Sequence, residues 1–213
     1  MVLGALQGWL TDFYALEIPY DIQDFLITDE KLARALDRDG RENEEKLLIA
    51  EDDGEAAVSL YLRQELIDRL VANDPTARLD ERNLADFWTA LEGLSHFTYF
   101  VHRASNDRAV TLLEMELQAE VDKFIATAAL LRRQGERLPQ QLHDWLFAQT
   151  KLAAELSAEE QERYASANRY AAKYCRKLWP RLSSSLGWDA ARDELRRFYR
   201  LTRSAKIDHI ETT

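Results

Sequence analysis

The chain is poor in the residues that interrupt secondary structure or cross-link a small fold. Its 213 residues include 7 Gly, 4 Pro and a single cysteine, Cys175. One cysteine excludes an internal disulfide framework and fits a reducing compartment. Scarce glycine and proline favour helices over an all-β fold, which needs many tight turns.

Signals for membrane insertion and export are also lacking. No segment approaches the roughly 20 apolar residues that a membrane-spanning helix needs. The first residues, MVLGALQGWLTDF, lack the basic region and the cleavage site of a signal peptide. We therefore predict a soluble, cytoplasmic protein with no membrane partner.

Familiar catalytic motifs are missing as well. The chain contains no Gly-x-Ser-x-Gly, no Walker loop and no Gly-x-Gly-x-x-Gly. His96 and His102 are predicted to lie on one strand, roughly 20 Å apart, which is too far for one metal ion. No histidine belongs to a His-x₃-His or Glu-x-x-His motif. We therefore predict no metal, no cofactor and no catalytic residue, and an enzyme is the less favoured class.

The clearest feature that is present is a polarised charge. The whole chain has a net charge of -10. Residues 1–162 hold 16 Lys/Arg against 33 Asp/Glu, a net of -17, whereas residues 163–206 hold 12 against 3, a net of +9. The basic segment therefore either docks on the acidic part of the protein or binds an anionic partner.

The basic segment arranges its charges in ladders along predicted helix faces. The candidate anion-binding residues are Arg169, Lys173, Lys177, Arg196, Arg200 and Arg203. Such ladders, interleaved with aromatic residues, bind phosphates and stack nucleic-acid bases in other proteins. The acidic remainder would repel a polyanion, so docking on the protein's own acidic half or on a second copy is the preferred interpretation. The deciding observation is whether residues 192–203 face solvent or face residues 114–122.

Two rows of polar residues flank the apolar stripe of the longest predicted helix. One row contains Glu114, Gln118 and Asp122. The other contains Glu116, Glu120 and Lys123. Glu114, Glu116 and Asp122 form a candidate acidic cluster, because close carboxylates raise one another's pKa and serve acid–base or metal chemistry. A solvated amphipathic helix shows the same pattern and is the preferred interpretation, and contact with the basic segment is a third.

Strand signals concentrate in the N-terminal half. Residues 46–51 and 56–62 flank Asp53-Gly54, the preferred pair for a two-residue hairpin turn. An apolar segment at residues 22–28 and an alternating pattern at residues 96–103 predict two further strands. We expect these strands to form a small antiparallel sheet.

Helical periodicity dominates the remainder of the chain. The most regular stripe predicts a helix over residues 110–133, with a hairpin strand over residues 109–116 as the rival interpretation. A capping box at Ser157 opens a helix that ends near Trp179, and a last helix covers residues 188–203. Shorter helices are predicted over residues 2–16, 28–36 and 80–91.

Together these elements predict an α+β fold that is mostly helical. It has a small antiparallel sheet in the N-terminal half and a C-terminal helical bundle. No linker rich in Gly, Ser or Pro interrupts the chain, so a single domain over residues 1–213 is predicted. Within it, residues 1–104 form a mixed α/β half and residues 105–213 a helical half.

Three functional hypotheses follow from these patterns. The first is a non-catalytic interaction or regulatory protein that binds a protein partner or associates with itself as a homodimer. The second is binding of nucleic acid or a phosphorylated ligand through the basic C-terminal helices. The third is a carboxylate-dependent enzyme of unknown substrate that acts through the acidic cluster of the long helix.

Overall fold

A computed structural model describes residues 2–37, 43–52, 55–148, 156–184 and 186–212. The described residues form a mostly helical α+β fold, as predicted. The helices are α1 (Val2–Tyr14), α2 (Glu30–Leu36), α3 (Gln64–Ala72), α4 (Leu84–Ala104), α5 (Leu112–Arg133), α6 (Leu142–Phe147), α7 (Ala158–Leu182), α8 (Trp188–Arg200) and α9 (Arg203–Thr212).

The sheet contains β1 (Leu26–Ile27), β2 (Glu45–Asp52) and β3 (Glu55–Leu62) in the order β1-β3-β2. Strands β2 and β3 pair antiparallel, which confirms the predicted hairpin, although its turn residues Asp53-Gly54 lie outside the described residues. Strand β1 pairs with β3 in parallel, so the sheet is mixed rather than wholly antiparallel. A turn of 3₁₀ helix replaces most of the strand expected over residues 22–28.

Helix α4 overturns the strand predicted over residues 96–103. The helix continues from Leu84 to Ala104 without a break. Residues 93–101 are buried on every side, so no polar face marks the helical period in this segment. Phe97, Tyr99 and Val101 fall at every second position, and aromatic and β-branched residues are enriched in strands, so the segment resembles a strand.

Helix α5 confirms the long predicted helix and excludes the rival strand for residues 112–116. Thr111 and Glu114 form a capping box that satisfies the first backbone amides of the helix. Gly135 follows the end of the helix with φ +78°, a conformation that glycine adopts without strain. The helix begins at Leu112, two residues later than its apolar stripe indicates.

The C-terminal helices follow the predictions until residue 200. The capping box between Ser157 and Glu160 opens α7, which includes Pro180 and ends at Leu182. Helix α8 ends at Arg200, three residues before the predicted end, and a further helix, α9, follows it.

Helices α4 and α5 run antiparallel through the centre of the fold. Arg103 near the end of α4 approaches Glu114 near the start of α5, and Lys123 reaches back to Glu92. One hydrophobic cluster contains residues from both halves of the chain, from Val2 to Ile210. Among the described residues, no helix is long and apolar enough to cross a membrane. The central helix pair carries the polar residues considered next.

Candidate metal centre

A group of ionisable side chains gathers where β2, α4 and α5 meet. We call it the carboxylate–histidine cluster, and it consists of Glu45, Glu92, His96, Glu116, Glu120 and Lys123. The i, i+4 spacing places Glu92 and His96 on one face of α4, and the same spacing places Glu116 and Glu120 on one face of α5. The antiparallel packing of α4 on α5 brings the two faces together.

His96 lies between two carboxylates and is 7% exposed. Its Nε2 is 3.4 Å from Glu116 Oε2, and its Nδ1 is 3.6 Å from Glu45 Oε1. Both distances exceed those of good hydrogen bonds. His96 Nε2 and Glu45 Oε1 are buried and have no hydrogen-bond partner within the described part of the chain. Buried polar atoms left in this way are costly, so each of them needs an explanation.

Three members of the cluster place one potential ligand atom each around a common point. The donor atoms of Glu92, His96 and Glu116 all lie within 4.8 Å of one another. Ligand atoms on opposite sides of one ion, at about 2.0–2.2 Å each, are up to roughly 4.4 Å apart. Neighbouring ligands of one ion lie closer, roughly 3.0–3.6 Å apart, so the three side chains would have to approach one another by up to about 1–2 Å to share a single ion.

Lys123 pairs with two carboxylates at the other end of the cluster. Its Nζ donates to Glu92 Oε2 at 2.8 Å and to Glu120 Oε1 at 2.7 Å. Burial lowers the pKa of a lysine, but these two carboxylates outweigh burial and raise the pKa of Lys123 above its usual value. Lys123 is therefore a permanent cation in the cluster.

The charges of the cluster do not balance. Four carboxylates face one permanent cation, so the sum stays negative even when His96 is protonated. Burial raises the pKa of Glu45 and that of Glu120. Burial disfavours charge on His96 too, yet Glu116 and Glu45 raise the pKa of His96 well above its usual value. Protonation of Glu45, Glu120 or His96 would each make the cluster less negative.

Two neighbouring residues complete the surroundings of the cluster. A Cβ atom on Gly93 would lie 2.7 Å from Cγ of Glu45 and 2.8 Å from Cδ1 of Leu60, so only glycine leaves room for the Glu45 side chain here. Tyr164 of α7 lies on another side, where burial and then the charges of Glu116 and Glu92 raise its pKa.

A second group of polar side chains lies on the opposite flank of α5. We call it the Asp122 network, and it consists of Tyr14, Ser95, Gln118, Asp122 and Lys206. Asp122 accepts hydrogen bonds from Tyr14 Oη, Ser95 Oγ and Gln118 Nε2 at 2.5–2.8 Å. Lys206 Nζ donates to Gln118 Oε1 at 2.7 Å and lies 4.4 Å from the centre of the Tyr99 ring. These buried groups are paired with one another.

The structure separates the three predicted acids. Glu116 joins the carboxylate–histidine cluster and Asp122 the Asp122 network, whereas Glu114 accepts from Thr111 and approaches Arg103 Nη2 at 3.6 Å. All three are buried, with exposed fractions of 2% for Glu114, 8% for Glu116 and 1% for Asp122. The preferred interpretation of a solvated helix face is therefore wrong.

Arg196 and Arg200 of the C-terminal ladder contact the end of α1 rather than residues 114–122. Arg196 Nε donates to Phe13 O at 2.7 Å, and Arg200 Nη2 donates to Tyr14 O at 3.0 Å. These carbonyl groups end α1, where no further helical turn supplies donors. Both arginines therefore cap α1.

The remaining predicted anion-binding residues lie apart from Arg196 and Arg200. On α7, Lys173 pairs with Glu211 and Lys177 donates to Ile210 O, so both contact α9. Arg169 stacks on the ring of Tyr170, and Arg203 begins α9 at an exposed position. The six residues therefore do not form one site.

Sequence reasoning missed Glu45 and Glu92 and dismissed His96. The prediction of no metal site depended on the distance between His96 and His102 along a strand, and that strand does not exist. The i, i+4 spacing of Glu92 and His96 is the signal that could have revealed the site, but it is meaningful only on a helix.

Comparison with protein-family models, with curated proteins and with solved structures finds no match. The geometry of the two polar groups therefore carries the functional argument.

Proposed function

We propose that this protein binds one divalent first-row transition-metal ion through Glu92, His96 and Glu116. The observation that carries the proposal is His96 Nε2, which is buried, lacks a hydrogen-bond partner among the described residues and faces the carboxylate of Glu116 at 3.4 Å. A metal ion would satisfy this nitrogen and would offset the excess negative charge of the cluster.

Glu45 is suited to hold His96 in place for this purpose. Metal-bound histidines usually donate their second ring N–H to a carboxylate, which fixes the ring orientation and raises the basicity of the other nitrogen. Glu45 Oε1 lies 3.6 Å from His96 Nδ1 and has no hydrogen-bond partner in the described structure. Closing this gap by less than 1 Å would form such a pair.

The ligand set favours intermediate metals such as Mn²⁺, Fe²⁺ and Zn²⁺. Carboxylates suit Mn²⁺, and imidazole suits Zn²⁺ and Fe²⁺. Three protein ligands leave positions for water or substrate, as in catalytic rather than structural sites. A metal bound in this way lowers the pKa of its water and supplies a nucleophile, so the proposal develops the hypothesis of a carboxylate-dependent enzyme with a different set of residues.

The proposal is tested by titrating chelator-treated protein with Mn²⁺ and following the heat and the electron paramagnetic resonance of free Mn²⁺. We expect one equivalent to bind to the native chain. His96→Gln and Glu116→Gln should abolish this binding, and Glu45→Gln should weaken it about 10–100-fold. His102→Ala, on the same helix outside the cluster, is the matched control. Equal binding by the native and Glu116→Gln chains, or none by the native chain, would overturn the proposal.

A basic groove on α7 favours a second candidate function, binding of a phosphorylated ligand. Arg169, Lys173, Arg176 and Lys177 line this open groove. Partial burial and then the charge of Lys173 lower the pKa of Lys177. The positive charges in the groove therefore repel one another, and an anion would reduce this repulsion. An Arg176→Glu variant should lose binding of inorganic phosphate, which would be measured by calorimetry at low salt, whereas Arg132→Glu on α5 should keep it.

A further inference from the structure

Lys123 occupies a position that resembles that of a metal ion. Its Nζ lies between Glu92 Oε2 at 2.8 Å and Glu120 Oε1 at 2.7 Å, and the residue is 8% exposed. Carboxylates from two helices thus converge on a single buried positive charge. In a metal site the same oxygens would surround an ion at about 2.0–2.2 Å.

Glu92 links this position to the proposed metal site. Its Oε2 accepts from Lys123, and its carboxylate is also one of the three groups that converge with His96 and Glu116. A carboxylate shared by two neighbouring cations is the arrangement of two-metal centres, in which the ions lie about 3.5–4 Å apart. In this protein, one of the two cations would be the ammonium group of Lys123, which belongs to the chain itself.

Glu120 shows that the Lys123 position has unused ligand capacity. Oε1 of Glu120 accepts from Lys123, whereas Oε2 is buried and has no hydrogen-bond partner among the residues described. An ammonium group donates three hydrogen bonds and accepts none, but a metal ion accepts lone pairs from several oxygens at once. The carboxylates at this position therefore offer more acceptor oxygens than Lys123 uses.

We propose that Lys123 Nζ holds the second cation position of a two-cation site, so that the native chain binds a single metal ion. This inference rests on the proposed binding of a metal by Glu92, His96 and Glu116. It limits the native site to one-metal chemistry, in which Lys123 fixes Glu92 and neutralises part of the charge. Without the ammonium group, the same carboxylates would take up a second ion.

The test replaces Lys123 by residues that remove or keep its charge and counts bound Mn²⁺. We expect one equivalent in the native chain, two in Lys123→Met and one in Lys123→Arg, which keeps a cation at the same position. The double variant Lys123→Met, Glu120→Gln should return to one equivalent, because the second position loses a ligand. Spin coupling between two adjacent Mn²⁺ ions should weaken the resonance of Lys123→Met when both sites are filled.

The possible outcomes separate this inference from the proposal on which it rests. Failure of both the native chain and Lys123→Arg to bind Mn²⁺ would refute the metal site itself. One equivalent in both the native chain and Lys123→Met would refute only the second position.

A single conservative variant covers the case in which Lys123→Met does not fold. Glu120→Gln in the otherwise native chain keeps Lys123 paired with Glu92. It should bind one Mn²⁺ with an affinity within about threefold of the native value. Loss of binding in this variant would make Glu120 a ligand of the first ion and would contradict the role assigned to Lys123.

Discussion

The Asp122 network and the carboxylate–histidine cluster lie on opposite flanks of α5 and contain similar side chains, but they differ in how completely these side chains are paired. In the Asp122 network the carboxylate accepts three hydrogen bonds, and Lys206 is the nearby cation. In the carboxylate–histidine cluster, His96, Glu45 and Glu120 each keep a buried atom without a partner in the described structure. A satisfied buried network fixes a fold, whereas each unsatisfied buried group needs an explanation, and a bound ion is the one that we propose.

The largest expected effect is on stability, at the paired flank. Asp122→Ala should lower the free energy of unfolding by about 3–5 kcal/mol, because it leaves Tyr14, Ser95 and Gln118 buried without their common partner. Urea unfolding in the presence of a chelator measures this loss. Glu116→Gln on the other flank should cost less than about 1 kcal/mol under the same conditions. Equal losses in the two variants would remove the distinction between the flanks.

Metal should narrow that difference. A ligand at 100 times its dissociation constant stabilises the folded state by about 2.7 kcal/mol. We expect Mn²⁺ to raise the free energy of unfolding of the native chain by this amount and to leave Glu116→Gln unchanged. Thermal unfolding with and without a chelator measures the shift. An equal shift in both chains would place the ion elsewhere.

The glycine beside the cluster offers a test of its packing. Gly93→Ala should cost about 1–3 kcal/mol, since the added Cβ meets Glu45 and Leu60 at less than 3 Å. It should also weaken Mn²⁺ binding, because Glu45 must move away from His96. Gly8→Ala on α1 is the control, as nothing lies within 4 Å of its Cβ and it should be neutral or stabilising. Unchanged Mn²⁺ affinity in Gly93→Ala would show that Glu45 does not position His96.

The stability of the protein should depend on pH because Lys206 and Asp122 of the paired flank have shifted pKa values. Burial lowers the pKa of Lys206 to about 7, and the positive charge of Arg103 acts in the same direction. The negative charges of Asp122 and Glu114 oppose this shift without cancelling it. Between about pH 7 and pH 10 the unfolded chain then holds a proton that the folded chain lacks, so stability rises with pH. Burial also raises the pKa of Asp122 to about 6, so its contribution falls as pH rises from about 4 to 6.

Lys206→Met separates these two contributions by removing the alkaline one. The slope of stability between pH 7 and pH 9 should decrease by up to about 1.4 kcal/mol per pH unit, the value for one proton. Urea unfolding at several pH values measures it. Lys173→Met, which affects a lysine that pairs with Glu211 near the surface, should leave the slope unchanged. Parallel slopes in Lys206→Met and the native chain would exclude Lys206 as the source.

The fold could be predicted where local signals agree with the final structure. The Ser157 capping box, the hairpin and the stripe of α5 each depend on neighbouring residues, and the structure contains all three elements. Helix α4 could not be recognised beyond its first turns, because burial on all sides removes the periodicity that marks a helix. The assignment of His96 failed for this reason, and the carboxylate–histidine cluster was missed with it.

The groups with which the charged residues pair could not be predicted from the sequence either. Net charge predicts attraction between regions but not the groups that pair, because backbone carbonyls also attract arginine. Arg200 was predicted to bind an anion and caps α1 instead, and Lys206 lies buried beside Asp122. The hypotheses of a protein partner and of a homodimer stay predictions.

The most direct test of the difference between the flanks is an anomalous difference map from crystals of the native protein soaked in Mn²⁺. Our account predicts one strong peak about 2.0–2.2 Å from side-chain atoms of Glu92, His96 and Glu116, and none in the Asp122 network. The absence of a peak at His96, or a peak beside Asp122, would contradict it.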